Sequence, residues 1–274
     1  MALKLLYNEM TPASVALTRF VIMGVLLSLI CLALREQLKY PKGELLRLWL
    51  LGFLTMGVYM VLFLEGLKNT TPAEAAILLA TAPIWTAIIA VLCRQEVFNW
   101  TALAGALLAL GGVSMVVFAA NPNAHGKLLG NLMVLASAIL WSASAVLSKP
   151  LLSRVSPIRV LTLSLPGAIP VLLPYGLSDS ISMNWHALSP TALVMFSHVV
   201  LLAGIAGFIG FYAGVRRVGS AGAMLYQFFV PPIAALSAWL VLGTEFLFLQ
   251  GVGLLVVFIG VGMASSARNV SSRQ

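Results

Sequence analysis

The chain has 274 residues, of which 61% are hydrophobic and only 9% charged, with a formal net charge of +8. Globular domains carry about 25% charged residues, so this chain cannot clothe itself in a water-facing surface, and its solvent is lipid. The positive charge is no nucleic-acid signal, because nearly all the Lys and Arg residues fall in loops between apolar runs.

Those runs recur along almost the whole chain. Each is long enough for a helix to cross a ~30 Å hydrocarbon layer, and none alternates as a barrel strand would. The first residues, "MALKLLYNEM", are too short to span or to form the apolar core of a signal peptide. Nine full spans are predicted, at 12–34, 45–66, 72–93, 100–119, 128–148, 157–177, 191–214, 219–242 and 247–266.

In chain order, Arg19 is the first residue that lipid would reject. It sits ~10 Å into its span, where an arginine costs about 2.5–3.5 kcal/mol and faces protein or water. One reading is a structural ion pair with Glu65 or Glu74, at the ends of the next two spans. The other is a clamp for a substrate carboxylate, which guanidinium binds bidentately. Pro83 interrupts "LLATAPIWTAIIAVLCRQE" (78–96) and should kink it, with Trp85 two residues later. Trp141 stands in a Ser-rich span, "SAILWSASAVLSK". His198 lies about two turns inside its span and is either a satisfied histidine or a proton carrier. "GIAGFIGFYAG" (204–214) invites close helix approach. Tyr226 and Gln227 stand one turn before Pro231 and need a cavity or a partner to escape hydrocarbon. Cys31 and Cys93 read as free thiols, and with His125, His186 and His198 they form no metal-ligand spacing.

The chain also repeats itself. A shift of 148 residues lays Gly66 on Gly214, Ala73 on Ala221, Ala75 on Ala223 and Pro83 on Pro231. After a one-residue slip Glu96 meets Glu245, while Gly105 and Gly112 meet Gly253 and Gly260. Near the start the shift is 145, with Lys4 on Lys149 and Pro12 on Pro157. A complete unit holds five spans. Five is odd, so the second copy enters the membrane upside down. The second unit's first helix (130–149) finds only a remnant in the first unit, "MALKLLYNEM", whose front is expected to be missing through truncation or a misassigned start. Lys and Arg fix the orientation: twelve of them, Arg94, Arg216, Arg217 and Arg273 included, lie on one side, against Lys4, Lys68 and Lys127 on the other. That bias puts the C-terminus in the cytoplasm.

These features resemble the EamA-type permeases of the drug/metabolite transporter superfamily. The resemblance rests on paired five-helix units with a lysine and "TP" or "SP" between the first two helices (Lys4 and Pro12; Lys149 and Pro157). It rests also on Arg19, on the "A-x-A…P" run in each fourth helix, on Glu96 and Glu245, and on the glycine-rich fifth helices. It implies ten helices around a cavity and export of small metabolites, amino acids among them. The second unit departs by placing Ser164 where the first has Arg19, so any role for that arginine is asymmetric.

Enzyme classes find no support. Asp179 is the only aspartate, and HExxH, GxSxG and P-loop patterns are absent. The expectation is an all-α integral membrane protein, an inverted repeat with one unit at 1–120, a second at 128–268 and a tail at 269–274. It would be a secondary transporter of amino acids or amphipathic metabolites in the cell inner membrane, working by alternating access as a monomer or homodimer. Its partners would be a small-molecule substrate and the bilayer, without cofactor, metal or nucleic acid. The alternatives are a small-multidrug-type proton antiporter or a channel. Arg19, Tyr226, Gln227, Trp85 and Trp141 are the expected substrate contacts, Pro83 and Pro231 the gates, and His198, Glu65 and Glu74 the proton-coupling groups.

Overall fold

The computed structural model describes residues 6, 9–120, 126–242 and 247–271. Lys4, His125, Glu245 and Arg273, named above, lie outside the described residues. Within them the chain is helical, without a strand. Eight of the described helices are long and apolar enough to cross a membrane: α1 (Pro12–Ala33), α2 (Leu45–Asn69), α3 (Pro72–Leu92), α4 (Trp100–Ala119), α5 (Leu128–Leu152), α6 (Pro157–Ser182), α7 (Pro190–Val218) and α9 (Phe248–Ala267). The remaining predicted span, 219–242, is α8. It is built of Ser220–Leu225, a 3-10 turn Tyr226–Phe229 and Val230–Leu242. The chain is a multi-pass membrane protein.

The helix α1 shows how such a sequence packs. Ala16, Phe20, Met23, Leu27 and Cys31 recur every three or four residues and are buried, while Val21, Val25, Leu29 and Leu32 make an exposed stripe. Both stripes are apolar, one for neighbouring helices and one for lipid.

The "TP" and "SP" pairs prove to be helix starts. Thr11, Thr71 and Ser189 accept from the backbone N–H of Ser14, Glu74 and Ala192, and each is followed by proline at the first helical position. The hydroxyl satisfies an orphan donor, and the proline gives up an N–H that had no partner there. The helices α1 and α3 end alike. Arg35 and Arg94 both take φ of 55°, and the next residues, Glu36 and Gln95, donate back to Cys31 and Ala90 carbonyls at 2.8 Å. This closing motif usually places glycine where these arginines stand.

Two compact units form. The first comprises residues up to Leu64 together with Leu147–Arg217; the second takes Glu65–Val146 and the chain from Val218 onward. Each draws helices from both sequence repeats. In the first unit α1 and α6 run antiparallel: Gly176 abuts the Ala13 carbonyl and Leu17, Gly24 packs on Leu165, and Cys31 Sγ meets Thr162 Oγ1 at 3.4 Å. Gly52 and Gly167 bring the α2 and α6 backbones into contact, and Gly204 of α7 receives Met23. In the second unit α4 and α9 form an antiparallel glycine seam. Gly105 faces the Gly260 carbonyl and Ala264, and Gly112 faces the Gly253 carbonyl and Val257.

Two turns are wider than α-helix. Phe53–Val58 in α2 and Val199–Ala206 in α7 are π-helical. π turns are rare and cluster at functional sites.

Candidate functional site

In the first unit polar side chains are buried on α1, α2 and α7, as well as on α5 and α6. Arg19 is 7% exposed. Its guanidinium lies 5.3 Å from the centre of the Phe20 ring and within electrostatic reach of the Tyr59 phenol. Its Nε has no hydrogen-bond partner among the described residues. Thr55 and Tyr212 are fully buried, and their hydroxyls are close neighbours whose geometry falls short of a hydrogen bond. Thr55 belongs to the π turn of α2, one helical turn before Tyr59; Tyr212 follows the π turn of α7. A threonine in a membrane helix ordinarily returns its hydroxyl to the carbonyl four residues back, as Thr86 and Thr162 do at 2.9 and 2.7 Å. Thr55 does not. His198 also belongs to this unit; it is exposed and closes the α-helical part of α7 just before the π turn.

The second unit holds the other predicted residues. The kink expected at Pro83 is a break at Ala80 and Thr81. It is closed locally: Thr81 Oγ1 donates to the Leu78 carbonyl at 2.6 Å and accepts from Trp85 Nε1 at 3.1 Å. Trp85 thus braces the break. From α5, Ser142 Oγ donates to the Ala82 carbonyl at 2.8 Å, which puts the turn bearing half-buried Trp141 beside the same break. The matching place in α8 is the 3-10 turn that precedes half-buried Pro231. It carries Tyr226, 62% exposed, and half-buried Gln227. A small, partly open pocket lies beside Pro83, lined by Ala87, Val91, Glu96, Asn99 and Ala106 among others. Glu96 accepts from the Ala221 N–H at 3.4 Å and so serves the N-terminus of α8. Glu74 Oε2 accepts from Thr70 Oγ1 at 3.0 Å and from Gly126 N–H at 2.7 Å, tying the start of α3 to the segment before α5. Glu65 is half-buried, and its carbonyl accepts from the Asn69 amide.

The polar ends of the first unit are clasped. Glu44, largely buried, accepts from Arg47 at 3.3 Å and from Arg154 at 3.2 Å, and Glu36 lies 3.9 Å from Arg159. At the other ends of these helices, Glu9 accepts from the Ser189 hydroxyl at 2.6 Å and its N–H at 2.8 Å, and Thr11 donates to Asp179 at 2.6 Å.

Sequence reading missed Thr55 and gave Tyr59 and Tyr212 no more weight than other aromatics in spans. The one available signal was a hydroxyl deep in an apolar run; the π turns that aim them leave no mark in composition.

The model of the EamA-like transporter family matches residues 1–118 and 128–266. The uncharacterized transporter YdfC of Bacillus subtilis is 28% identical over 245 residues, covering 85% of this chain and 75% of its own. A probable terminal-alkyne amino-acid exporter of Streptantibioticus cattleyicolor is 25% identical, covering 84% of this chain and 76% of its own. A probable amino-acid metabolite efflux pump of Salmonella typhimurium is 23% identical over 77% of this chain and 74% of its own. A solved crystal structure matches with a TM-score of 0.78 and 20% identity, covering 99% of this chain and 94% of its own; that likeness is one of fold alone.

Proposed function

The chain belongs to the EamA-like transporter family, and on that premise we propose that it is a secondary transporter exporting amino acids or related small metabolites. It works by exposing one site alternately to the two sides of the cell inner membrane, with its C-terminus in the cytoplasm. The observation that carries this reading is the family match along both stretches of the chain. Relatives named for amino-acid export support the substrate class at low identity.

The inverted repeat is part of the proposal, and the packing supports it. Replacing each residue by its repeat counterpart turns the Gly105–Gly260 contact into Gly253–Gly112, which is also made. The same exchange turns Leu17–Gly176 into Thr162–Cys31, again a contact. Reciprocal contacts between antiparallel helices are what a twofold axis in the membrane plane requires. Such an axis gives the transporter two near-equivalent conformations, one open to each side.

In this reading Arg19 binds the substrate carboxylate. Tyr226, Gln227, Trp85 and Trp141 shape its path. The breaks at Pro83 and Pro231 are the bending points, and His198, Glu65 and Glu74 are the groups through which a proton could couple. The experiment is uptake of labelled amino acids, oxo acids and amines into proteoliposomes, with and without a pH gradient. Saturable uptake of a carboxylate-bearing solute is expected. Absence of saturable uptake for every member of the panel contradicts the proposal.

A further inference from the structure

The proposal above uses Arg19 alone among the buried polar groups of the first unit. The buried Thr55 and Tyr212 and the half-buried Tyr59 stand with it. Tyr59 couples electrostatically to Arg19, Thr55 lies four residues before Tyr59, and the Tyr212 hydroxyl faces Thr55. Three helices contribute: α1, α2 and α7. The Arg19 Nε and the Thr55 and Tyr212 hydroxyls are buried without a well-formed hydrogen bond. A buried polar group left in that condition costs roughly 1–3 kcal/mol, and more if charged. Three such side chains in one apolar bundle need a reason.

The chemistry of the set is one-sided. Guanidinium has five N–H donors and no acceptor, and each hydroxyl brings a proton to give. The unit's four acids, Glu9, Glu36, Glu44 and Asp179, stand at the ends of the spans, engaged with Ser189, Arg159, Arg47 and Arg154, and Thr11 respectively. The cluster therefore holds a cation and surplus donors, and the next carboxylate along α2, Glu65, stands six residues beyond Tyr59 near the end of the span. The repeat partners of Arg19, Thr55 and Tyr59 are Ser164, Ala203 and Gly207, so nothing comparable arises on the other side of the pseudo-symmetry. Both π turns are placed to aim it, one carrying Thr55 and the other preceding Tyr212 on its helix.

We infer that Arg19, Tyr59, Thr55 and Tyr212 form one binding site for an organic anion bearing two acceptor groups. Its carboxylate sits at the Arg19–Tyr59 end. A second oxygen, of an oxo, hydroxyl or further carboxylate group, lies at the Thr55–Tyr212 end, about 6 Å away for a four-residue step along a helix. An ammonium group finds no counter-charge in this cluster and adds nothing to binding there. The inference rests on the transport reading only in taking Arg19 as a substrate contact, and direct binding to the purified full-length protein separates the two.

The test is calorimetric titration in detergent with 5-hydroxypentanoate, unsubstituted pentanoate, 5-aminopentanoate and n-butylamine. The hydroxy acid is expected to bind more tightly than pentanoate and at least as tightly as 5-aminopentanoate, with butylamine not binding. Thr55→Val combined with Tyr212→Phe should weaken 5-hydroxypentanoate about 3- to 10-fold, one hydrogen bond's worth. Pentanoate should be unchanged by that double variant, which also reports that it folds. Arg19→Gln should abolish binding of both acids. 5-Aminopentanoate binding at least tenfold more tightly than 5-hydroxypentanoate overturns the inference, as does a double variant that weakens both hydroxy acid and pentanoate equally, or wild-type protein that binds neither. If the acids bind as expected but proteoliposomes transport nothing, the site stands and the transport reading fails.

Discussion

The glycine seam between α4 and α9 offers a sharp perturbation. A Cβ added at Gly105 would lie 2.6 Å from the Ala264 backbone nitrogen and 2.7 Å from the Gly260 carbonyl oxygen. Ordinary contact begins at 3.4 Å, so the nearer atom must retreat by 0.8 Å. Both obstacles are main chain, and no rotamer change relieves them. Gly105→Ala must therefore push two helices apart along a seam where Gly112, Gly253 and Gly260 meet the same kind of obstacle. Overpacking of this sort costs about 1–3 kcal/mol. Gly111 and Gly262 lie on the same helices with nothing within 4 Å of an added Cβ. Alanine at either should be neutral or stabilise by up to about 1 kcal/mol, since it removes glycine's entropic penalty. The assay is thermal unfolding of the purified protein in detergent. Loss of stability at the four seam glycines, with none at Gly111 and Gly262, is expected. Equal melting temperatures for Gly105→Ala and Gly111→Ala would refute the close approach and the reciprocal packing built on it.

Arg94→Gly should stabilise the end of α3 by up to about 1 kcal/mol, because the residue sits at φ 55°, where a side chain is strained; thermal unfolding reads this directly. Hydrogen bonds from the Ser189 hydroxyl, and then its N–H, hold the Glu9 carboxyl below its usual range. The group is solvated, so the effect is local. The tether is complete above the ordinary carboxylate range and is lost as pH falls through the lowered value. Protection of the amides at the start of α7, taken relative to their intrinsic exchange rate at each pH, should fall on acidification in the wild type and stay level in Glu9→Gln. Arg47→Ala and Arg154→Ala should each cost only about 0.2–1 kcal/mol, since both arginines are well exposed. Together they should cost more than the sum, because the mostly buried Glu44 then loses both cations; a double-mutant cycle on thermal unfolding measures the excess.

Hydropathy located the spans to within a few residues at most ends, because lipid punishes any interruption of an apolar run and the "TP" and "SP" caps punctuate the chain. The matched prolines located the breaks in α3 and α8. The facing of each helix was not legible. In α1 the buried and exposed stripes are equally apolar, and the same ambiguity hid that His198 and Tyr226 are exposed while Thr55 and Tyr212 are buried. Trp85 was expected to line a cavity on proximity to Pro83. Its indole also donates to Thr81 at the break, a local contact that composition does not reveal. The π turns could not be read at all, since "FLTMGV" and "VVLLAGIA" have the composition of any membrane helix. The compact units escaped for a related reason: repeat similarity records ancestry along the chain, whereas packing pairs helices from both copies.

Solute counterflow tests most directly whether this protein is a carrier. Proteoliposomes would be loaded with an unlabelled transported carboxylate and diluted into a trace of the labelled one. A site exposed to one side at a time predicts that label accumulates transiently above its external concentration and then decays, and that Arg19→Gln loses the overshoot. A monotonic approach to equal concentrations would mean an open pore and would contradict alternating access.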